Sequence, residues 1–152
     1  MSRYASTTNV PVEKSRQEIE TVLRRYGAEG FLSGWEVGRA VVGFKAKGRH
    51  IRIVVPLPLE KDYKWKWGVT DKQKAAHLDQ AARQRFRALL LVIKAKLETV
   101  ESGIATFDGE FLPYVVLPNG QTVAEAILPQ IAETYATGRM PPLLALGPAS
   151  SD

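Results

Sequence analysis

The chain has 152 residues, of which 45% are hydrophobic and 24% are charged, and it contains no cysteine. This length suits one domain, and the composition is too apolar for general disorder. The lack of cysteine excludes disulfides, thiolate nucleophiles and thiolate metal sites. A formal net charge of +5 favours partners that carry phosphate groups.

Nothing in the sequence predicts export or a membrane span. No run approaches the roughly 18 consecutive apolar residues of a membrane-spanning helix. The opening MSRYASTTNVP lacks the apolar region of a signal peptide. We therefore expect a single domain in the cytoplasm, with no membrane partner.

The N-terminal part of the chain predicts an arm followed by a helix. Residues 1–10 are polar and unpatterned, which indicates an extended arm. Val12, Ile19 and Tyr26 then recur at seven-residue spacing, which predicts a helix that ends at Gly27.

Strand-like runs follow between about residues 28 and 59, and they read FLSGWEV, RAVVGFKA and HIRIVVPL. In the last run, Ile51, Ile53 and Val55 alternate with other side chains, so one face of that strand is apolar. Short joins that contain glycine predict an antiparallel meander.

Residues 60–74, the basic aromatic segment, read EKDYKWKWGVTDKQK. They combine five lysines with three acids and three large aromatic residues and show no helical periodicity. We interpret this segment as a long functional or mobile loop.

The clearest element is a long helix with a continuous apolar stripe. The stripe steps by three or four residues through Leu78, Ala82, Phe86, Leu89, Ile93, Leu97 and Val100. Residues 89–93 are apolar on every side of the helix, so we expect this helix to be the spine of the fold or part of a dimer interface.

Beyond the long helix, the sequence predicts a short strand, a turn, a helix and a tail. The run Phe111 to Leu117 is strand-like, and Asn119-Gly120 indicates a turn. Thr122 followed by Glu125 predicts a capped helix to about residue 137, which Pro129 should bend or split. Residues 138–152 are expected to form an extended tail.

These elements predict a single α+β domain over residues 1–152. It contains an N-terminal helix, an antiparallel meander of three or four strands, a long central helix and a C-terminal helix. The apolar centre of the long helix and the proline- and leucine-rich tail favour a homodimer.

Four stretches resemble a family of small, uncharacterised bacteriophage and prophage proteins. They are GRHIRIVVPLPL, RQRFRALLLVIKAKLETVESGI, FLPYVVLPNGQTV and GRMPPLL. The likeness runs from about residue 4 to residue 146. It implies a phage protein that acts in the bacterial cytoplasm, and it brings no catalytic residue with it.

The sequence contains little that favours catalysis. His50 and His77 have no partner at metal-ligand spacing, and no phosphate-binding glycine loop or serine elbow is present. Asp108 and Glu110 flank a glycine in a predicted loop, where they would hold Mg²⁺ or, as the alternative, form a solvated turn. We expect no catalytic residue, no metal and no cofactor, and therefore a protein that is not an enzyme.

The best candidate for ligand binding is the run Lys64, Trp65, Lys66 and Trp67. In an extended backbone the two tryptophans and Tyr63 share one face, where they can stack on bases while the lysines bind phosphates. The alternative is that the tryptophans cap the core and the lysines face water.

A second candidate is a cationic ridge on the long helix. Arg83 and Arg87 lie close to Lys94 around the helix axis, opposite the apolar stripe. They are expected either to contact the ligand or to form a solvated face. Arg49 and Arg52 would join the same patch if the basic aromatic segment folds over the third strand.

Two functions remain open from the sequence, and a hydrolase that uses Asp108 and Glu110 is a weaker third. One is a non-enzymatic protein that captures nucleic acid or nucleotide phosphates, with single-stranded nucleic acid or a small nucleotide as its partner. The other is a phage anti-defence protein that sequesters a host nucleotide signal or blocks a host defence protein. Both need cations beside aromatic rings, and they differ in geometry, since an open groove suits a strand and a closed pocket suits a small nucleotide.

Overall fold

The computed structural model describes residues 8–143, which form the α+β domain that the sequence predicts. The helices and strands, in chain order, are α1 (Val12–Tyr26), β1 (Gly30–Glu36), β2 (Arg39–Ala46), β3 (Arg49–Pro56), α2 (Asp71–Glu101), α3 (Phe107–Glu110) and α4 (Val123–Thr137). Of the predicted arm and tail, residues 1–7 and 144–152 lie outside the described part of the chain.

The sheet is an antiparallel meander in the order β1, β2, β3. A tight turn joins β2 to β3, and its two central residues, Lys47 and Gly48, both have positive φ angles, of 53° and 72°. Turns of this kind match the twist of a hairpin, and glycine adopts the conformation without strain.

One face of the sheet packs on α1 and α2 and forms the core. Alternate residues of β2 and β3 point to this inner face, as the two-residue period of a strand requires. The buried apolar side chains of the core belong to α1, β2, β3, α2 and α3 and to the residue after α3. They are Ile19, Leu23, Ala40, Val42, Phe44, Ala46, Ile51, Ile53, Val55, Phe86, Leu89, Leu90, Ile93, Leu97, Phe107 and Phe111.

The stripe predicted for α2 is confirmed in its C-terminal two thirds. Leu89, Leu90 and Ile93 are buried, whereas Val92 keeps 44% of its surface exposed. The apolar centre of this helix is therefore largely covered by the chain's own core rather than left open for a second subunit.

The start of α2 differs from the prediction, because residues 71–74 are helical, residues 60–62 form a 3-10 turn and only residues 63–70 form the loop. Thr70 caps the helix. Its hydroxyl accepts a hydrogen bond from the Gln73 amide, and the Gln73 side chain accepts one from the Thr70 amide. This reciprocal pair satisfies two backbone donors that would otherwise lack partners at the helix end.

The strand predicted over residues 111–117 is wrong. Pro113, which has no amide hydrogen, lies in a 3-10 turn over Leu112–Tyr114, and the rest of the run forms only two isolated bridges, Val115 with Ile51 of β3 and Val116 with Thr122. Asp108 and Glu110 are likewise not in a loop before a strand, since both lie in the four-residue helix α3.

The C-terminal helix α4 has the predicted start. Thr122 and Glu125 form the expected reciprocal cap, and Gly138 ends the helix with a φ of 73°. Pro129 does not split the helix. No residue of α4 is buried, although the helix is rich in apolar side chains. No helix within residues 8–143 is long and apolar enough to cross a membrane.

Ser15 in α1 gives a first testable prediction. Its side chain is fully buried, and its Oγ has no hydrogen-bond partner within the described residues. A buried hydroxyl without a partner costs about 1–3 kcal/mol, and alanine is also the better helix former. We expect Ser15→Ala to raise the free energy of unfolding by about 1 kcal/mol in urea denaturation.

Ser102, which is exposed at the end of α2, provides the matched control. The change Ser102→Ala should alter the free energy of unfolding by less than about 0.5 kcal/mol, as is usual for a surface position. A Ser15→Ala variant less stable than the parent protein would contradict the prediction.

Candidate functional site

The basic aromatic segment and the first two turns of α2 enclose a shallow groove of about 410 Å³ that is open to solvent. The residues that line it are Tyr63, Lys64, Trp65, Lys66, Val69, Gln73 and His77. The groove therefore contains three of the four residues that the sequence singled out in this segment.

Trp65 forms the floor of this site and is held in place. Its side chain is half-buried, and its indole Nε1 donates a hydrogen bond of 2.9 Å to the backbone oxygen of Glu60. Its ring lies 5.2 Å from the Tyr63 ring and 5.4 Å from the His77 ring, the latter edge to face. His77 also meets Tyr63 edge to face at 4.7 Å, so the three rings form one cluster.

An ion pair closes one side of the cluster. Lys74 Nζ lies 2.9 Å from a Glu60 carboxylate oxygen and 5.8 Å from the centre of the Trp65 ring. The hydrogen bond with the Glu60 carboxylate raises the pKa of Lys74 above its ordinary value. Glu60 thus anchors the segment twice, through its backbone and through its side chain.

Trp67 stands apart from this cluster. Its ring is fully exposed, at 102% of the reference area, and lies at a turn in which Lys66 O accepts a hydrogen bond from Val69 N. Gly68, with a φ of 86°, gives the turn its left-handed residue. Lys64 and Lys66 are also exposed, and neither forms an ion pair with another residue between 8 and 143.

The two tryptophans therefore have different environments. Tyr63 and Trp65 share one face, as the alternation predicts, whereas Trp67 makes no ring contact within the described chain. Neither tryptophan belongs to the core formed by the described residues. Trp65 is a structural support of the groove, and Trp67 exposes to solvent a ring that no other ring of the described residues contacts.

The arginines of the proposed ridge on α2 carry acidic partners. Arg83 Nη2 lies 2.7 Å from Asp79 of the same helix, and Arg87 Nη1 lies 2.8 Å from Glu18 of α1. Arg83 is about 9 Å along the helix from His77 and about 120° around it, so it does not line the groove.

Arg49 and Arg52 lie elsewhere in the molecule. Arg49 forms two hydrogen bonds of 3.0 Å with the Asp108 carboxylate. Arg52 donates to the backbone oxygen of Gly120 at 2.8 Å and lies 3.2 Å from the Glu125 carboxylate. The basic aromatic segment packs on α2 rather than over β3, so the structure does not bring these arginines to the groove.

The two carboxylates considered for Mg²⁺ each pair with a different basic side chain. Asp108 is held by Arg49, and Glu110 lies 3.2 Å from Lys96 Nζ. Across residues 8–143, no group of three or more histidine, aspartate or glutamate side chains is arranged to hold a metal ion.

Three residues of the groove were not singled out as ligand-binding by sequence reasoning: Val69, Gln73 and His77. Two signals were available for them. Thr70 and Gln73 have the spacing of a capping box, which indicates that α2 begins there. Gln73 and His77 are then four residues apart on one helix face, next to the aromatic run.

Comparison with known proteins adds no relative. No protein-family model matches the chain, and no curated protein or solved structure is significantly similar to it. The resemblance to phage and prophage proteins therefore stays a prediction.

Proposed function

We propose that this chain is a non-enzymatic protein that binds single-stranded nucleic acid at the groove and the Trp67 turn. Bases stack on the Trp67 ring, and Lys64 and Lys66 bind the flanking phosphates. The observation that carries the proposal is the fully exposed Trp67 indole next to Lys66, which, like Lys64, has no acidic partner within residues 8–143. Tryptophan is usually largely buried, so a ring left in water beside free cations suits a stacking ligand.

The shape of the groove favours a strand over a small nucleotide. A small ligand is normally held in a concave pocket that buries most of its surface. This groove is shallow and opens to solvent beside the Trp67 turn, so a polymer can pass across it. The anti-defence alternative, in which a host nucleotide signal is sequestered, would require a more enclosed site.

The arginines contribute less directly in this proposal. Arg49, Arg52, Arg83 and Arg87 each lie within 3.2 Å of a carboxylate, so their charge is already partly neutralised. The lysines of residues 60–74 therefore supply most of the electrostatic attraction. The engagement of Asp108 by Arg49 also favours binding over metal-assisted hydrolysis.

The resemblance to phage and prophage proteins suggests where such a protein would act. A single-strand binder in the cytoplasm of an infected bacterium would serve phage replication, recombination or protection of single strands.

The salt dependence of binding tests the proposal. Affinity for an oligothymidylate and an oligouridylate of about 20 nucleotides should fall as salt rises, because each lysine that binds a phosphate releases counterions. In a plot of log affinity against log salt, Lys66→Ala should reduce the slope by about 0.7, the value expected for one contact with a single strand. Quenching of tryptophan fluorescence provides the measurement.

The control is Lys14→Ala, which removes an exposed lysine of α1 that does not line the groove. This variant should leave the slope unchanged. If neither oligonucleotide binds in low salt, or if Lys14→Ala and Lys66→Ala change the slope equally, the proposed site is wrong.

A further inference from the structure

Helix α4 is apolar but unburied, and this is unusual for a helix of a folded domain. Leu128, Ile131 and Tyr135 lie on one face at spacings of three and four residues. Leu128 is 60% exposed and Tyr135 is 88% exposed. Helices gain most of their stability from packing such a face, so an apolar stripe left in water indicates a missing partner.

The charge of α4 differs from that of the whole protein. Its 15 residues include Glu125 and Glu133 and no lysine or arginine, whereas the chain has a net charge of +5. The stripe itself carries no free charge, because Glu133 lies about 140° around the helix from Leu128 and Glu125 pairs with Arg52 of the same chain, so a complementary surface would be apolar and exposed.

The outer face of the sheet has those properties. Leu32, Val41 and Val54 point to this face, away from α1 and α2, and Leu32 is 71% exposed. Gly30 and Gly43 leave an apolar depression of about 400 Å³ between the side chains. Lys45 and Arg52 also line this depression, and Arg52 is already paired with Glu125 of its own chain.

The two surfaces also match in size. A 15-residue helix is about 22 Å long, and strands of eight residues span about 26 Å. Three strands spaced about 4.8 Å apart make a face roughly 10 Å wide, which is close to the diameter of one helix. One helix is therefore large enough to cover this sheet face.

The helix does not cover the sheet of its own chain. Its first turn lies beside β3, where Glu125 meets Arg52, yet no residue of α4 is buried and Leu32 stays exposed. The described part of one chain thus has an uncovered apolar sheet and an uncovered apolar helix.

We propose that this protein forms a two-fold dimer in which α4 of each chain packs across the outer sheet face of the other. Both apolar surfaces are covered in one symmetric interface, because each chain supplies a helix and receives one. Ile131, at the middle of the stripe, fits the depression beside Leu32. The dimer interface is thereby assigned to α4 and the sheet, and not to the long helix α2 that the sequence suggested.

The oligomeric state is the first test, and it does not depend on nucleic-acid binding. Sedimentation of the full chain without ligand should show a dimer. Leu128→Glu and Leu32→Glu should each raise the dimer dissociation constant by about 30-fold or more, as loss of a central contact does. The matched control is Ile104→Glu, a change at an exposed isoleucine after α2, which should leave the constant unchanged.

Cross-linking distinguishes the arrangement from other dimers. The chain has no cysteine, so single variants carry one thiol each. A mixture of Leu32→Cys and Ile131→Cys chains, treated with a short bismaleimide, should give a covalent dimer, and each variant alone should give little. Cross-linking of Ile131→Cys alone would indicate paired α4 helices, and cross-linking of Leu32→Cys alone would indicate paired β1 edges. Either result, or a monomer at all concentrations, would overturn the proposal.

Discussion

The variant Ile93→Asp is expected to lose cooperative folding at ambient temperature. Ile93 is fully buried in the C-terminal half of α2, in the core that α2 shares with the sheet and α1. A carboxylate there has no partner in an apolar site, and the cost of several kcal/mol is a large part of the 5–15 kcal/mol that stabilises a typical domain. Loss of the thermal transition by circular dichroism would confirm this.

The neighbouring residue provides the matched control. Val92 is also β-branched and lies on the same turn of α2, but it is 44% exposed. The change Val92→Asp should shift the free energy of unfolding by less than about 1 kcal/mol. A milder change in the core, Ile93→Val, should cost about 0.5–1.5 kcal/mol and leave a measurable transition. Equal melting temperatures for Ile93→Asp and Val92→Asp would contradict the assigned core.

Local signals in the sequence were sufficient for most of the fold. The stripe of α2 has the period of a helix, and Thr122 with Glu125 marks the start of α4. The turn at Lys47 and Gly48 fixes the register of β2 and β3. Each of these signals depends on residues within a few positions of one another, and such short-range rules can be read from one sequence.

The errors arose where a local pattern fits two structures. The run from residue 111 to residue 117 is apolar enough for a strand, but Pro113 removes a donor and the backbone forms a 3-10 turn. The apolar pattern of α4 predicts burial, yet whether a surface meets it within the chain depends on long-range packing. That packing is not encoded in the spacing of the helix itself.

In the candidate site, too, contacts between residues close in sequence could be predicted, and contacts between distant residues could not. Arg83 and Asp79 are four residues apart, so their ion pair could have been expected from helix geometry. The ion pairs Arg87–Glu18 and Arg52–Glu125 each join residues about 70 positions apart, and no pattern in the sequence predicts them. The sequence therefore overestimated the free positive charge around the groove.

The variant Trp67→Ala is expected to weaken binding of an oligothymidylate by roughly 5- to 150-fold. Stacking of a base on an aromatic ring contributes about 1–3 kcal/mol, which corresponds to that range of affinity. The ring is fully exposed and contacts no other ring within residues 8–143, so its removal should leave the melting temperature unchanged. Fluorescence anisotropy of a labelled oligonucleotide measures the first quantity, and thermal denaturation measures the second.

Two other tryptophans sharpen this test. Trp35 is 82% exposed on β1, far along the chain from the groove, and Trp35→Ala should change neither affinity nor melting temperature. Trp65 is half-buried and hydrogen-bonded to Glu60, so Trp65→Ala should lower the melting temperature as well as the affinity. If Trp67→Ala binds as tightly as the parent protein while Trp35→Ala does not, the nucleic acid lies on the sheet. That result would remove the groove as the binding site, because the exposed Trp67 indole next to Lys66 is the observation on which the assignment depends.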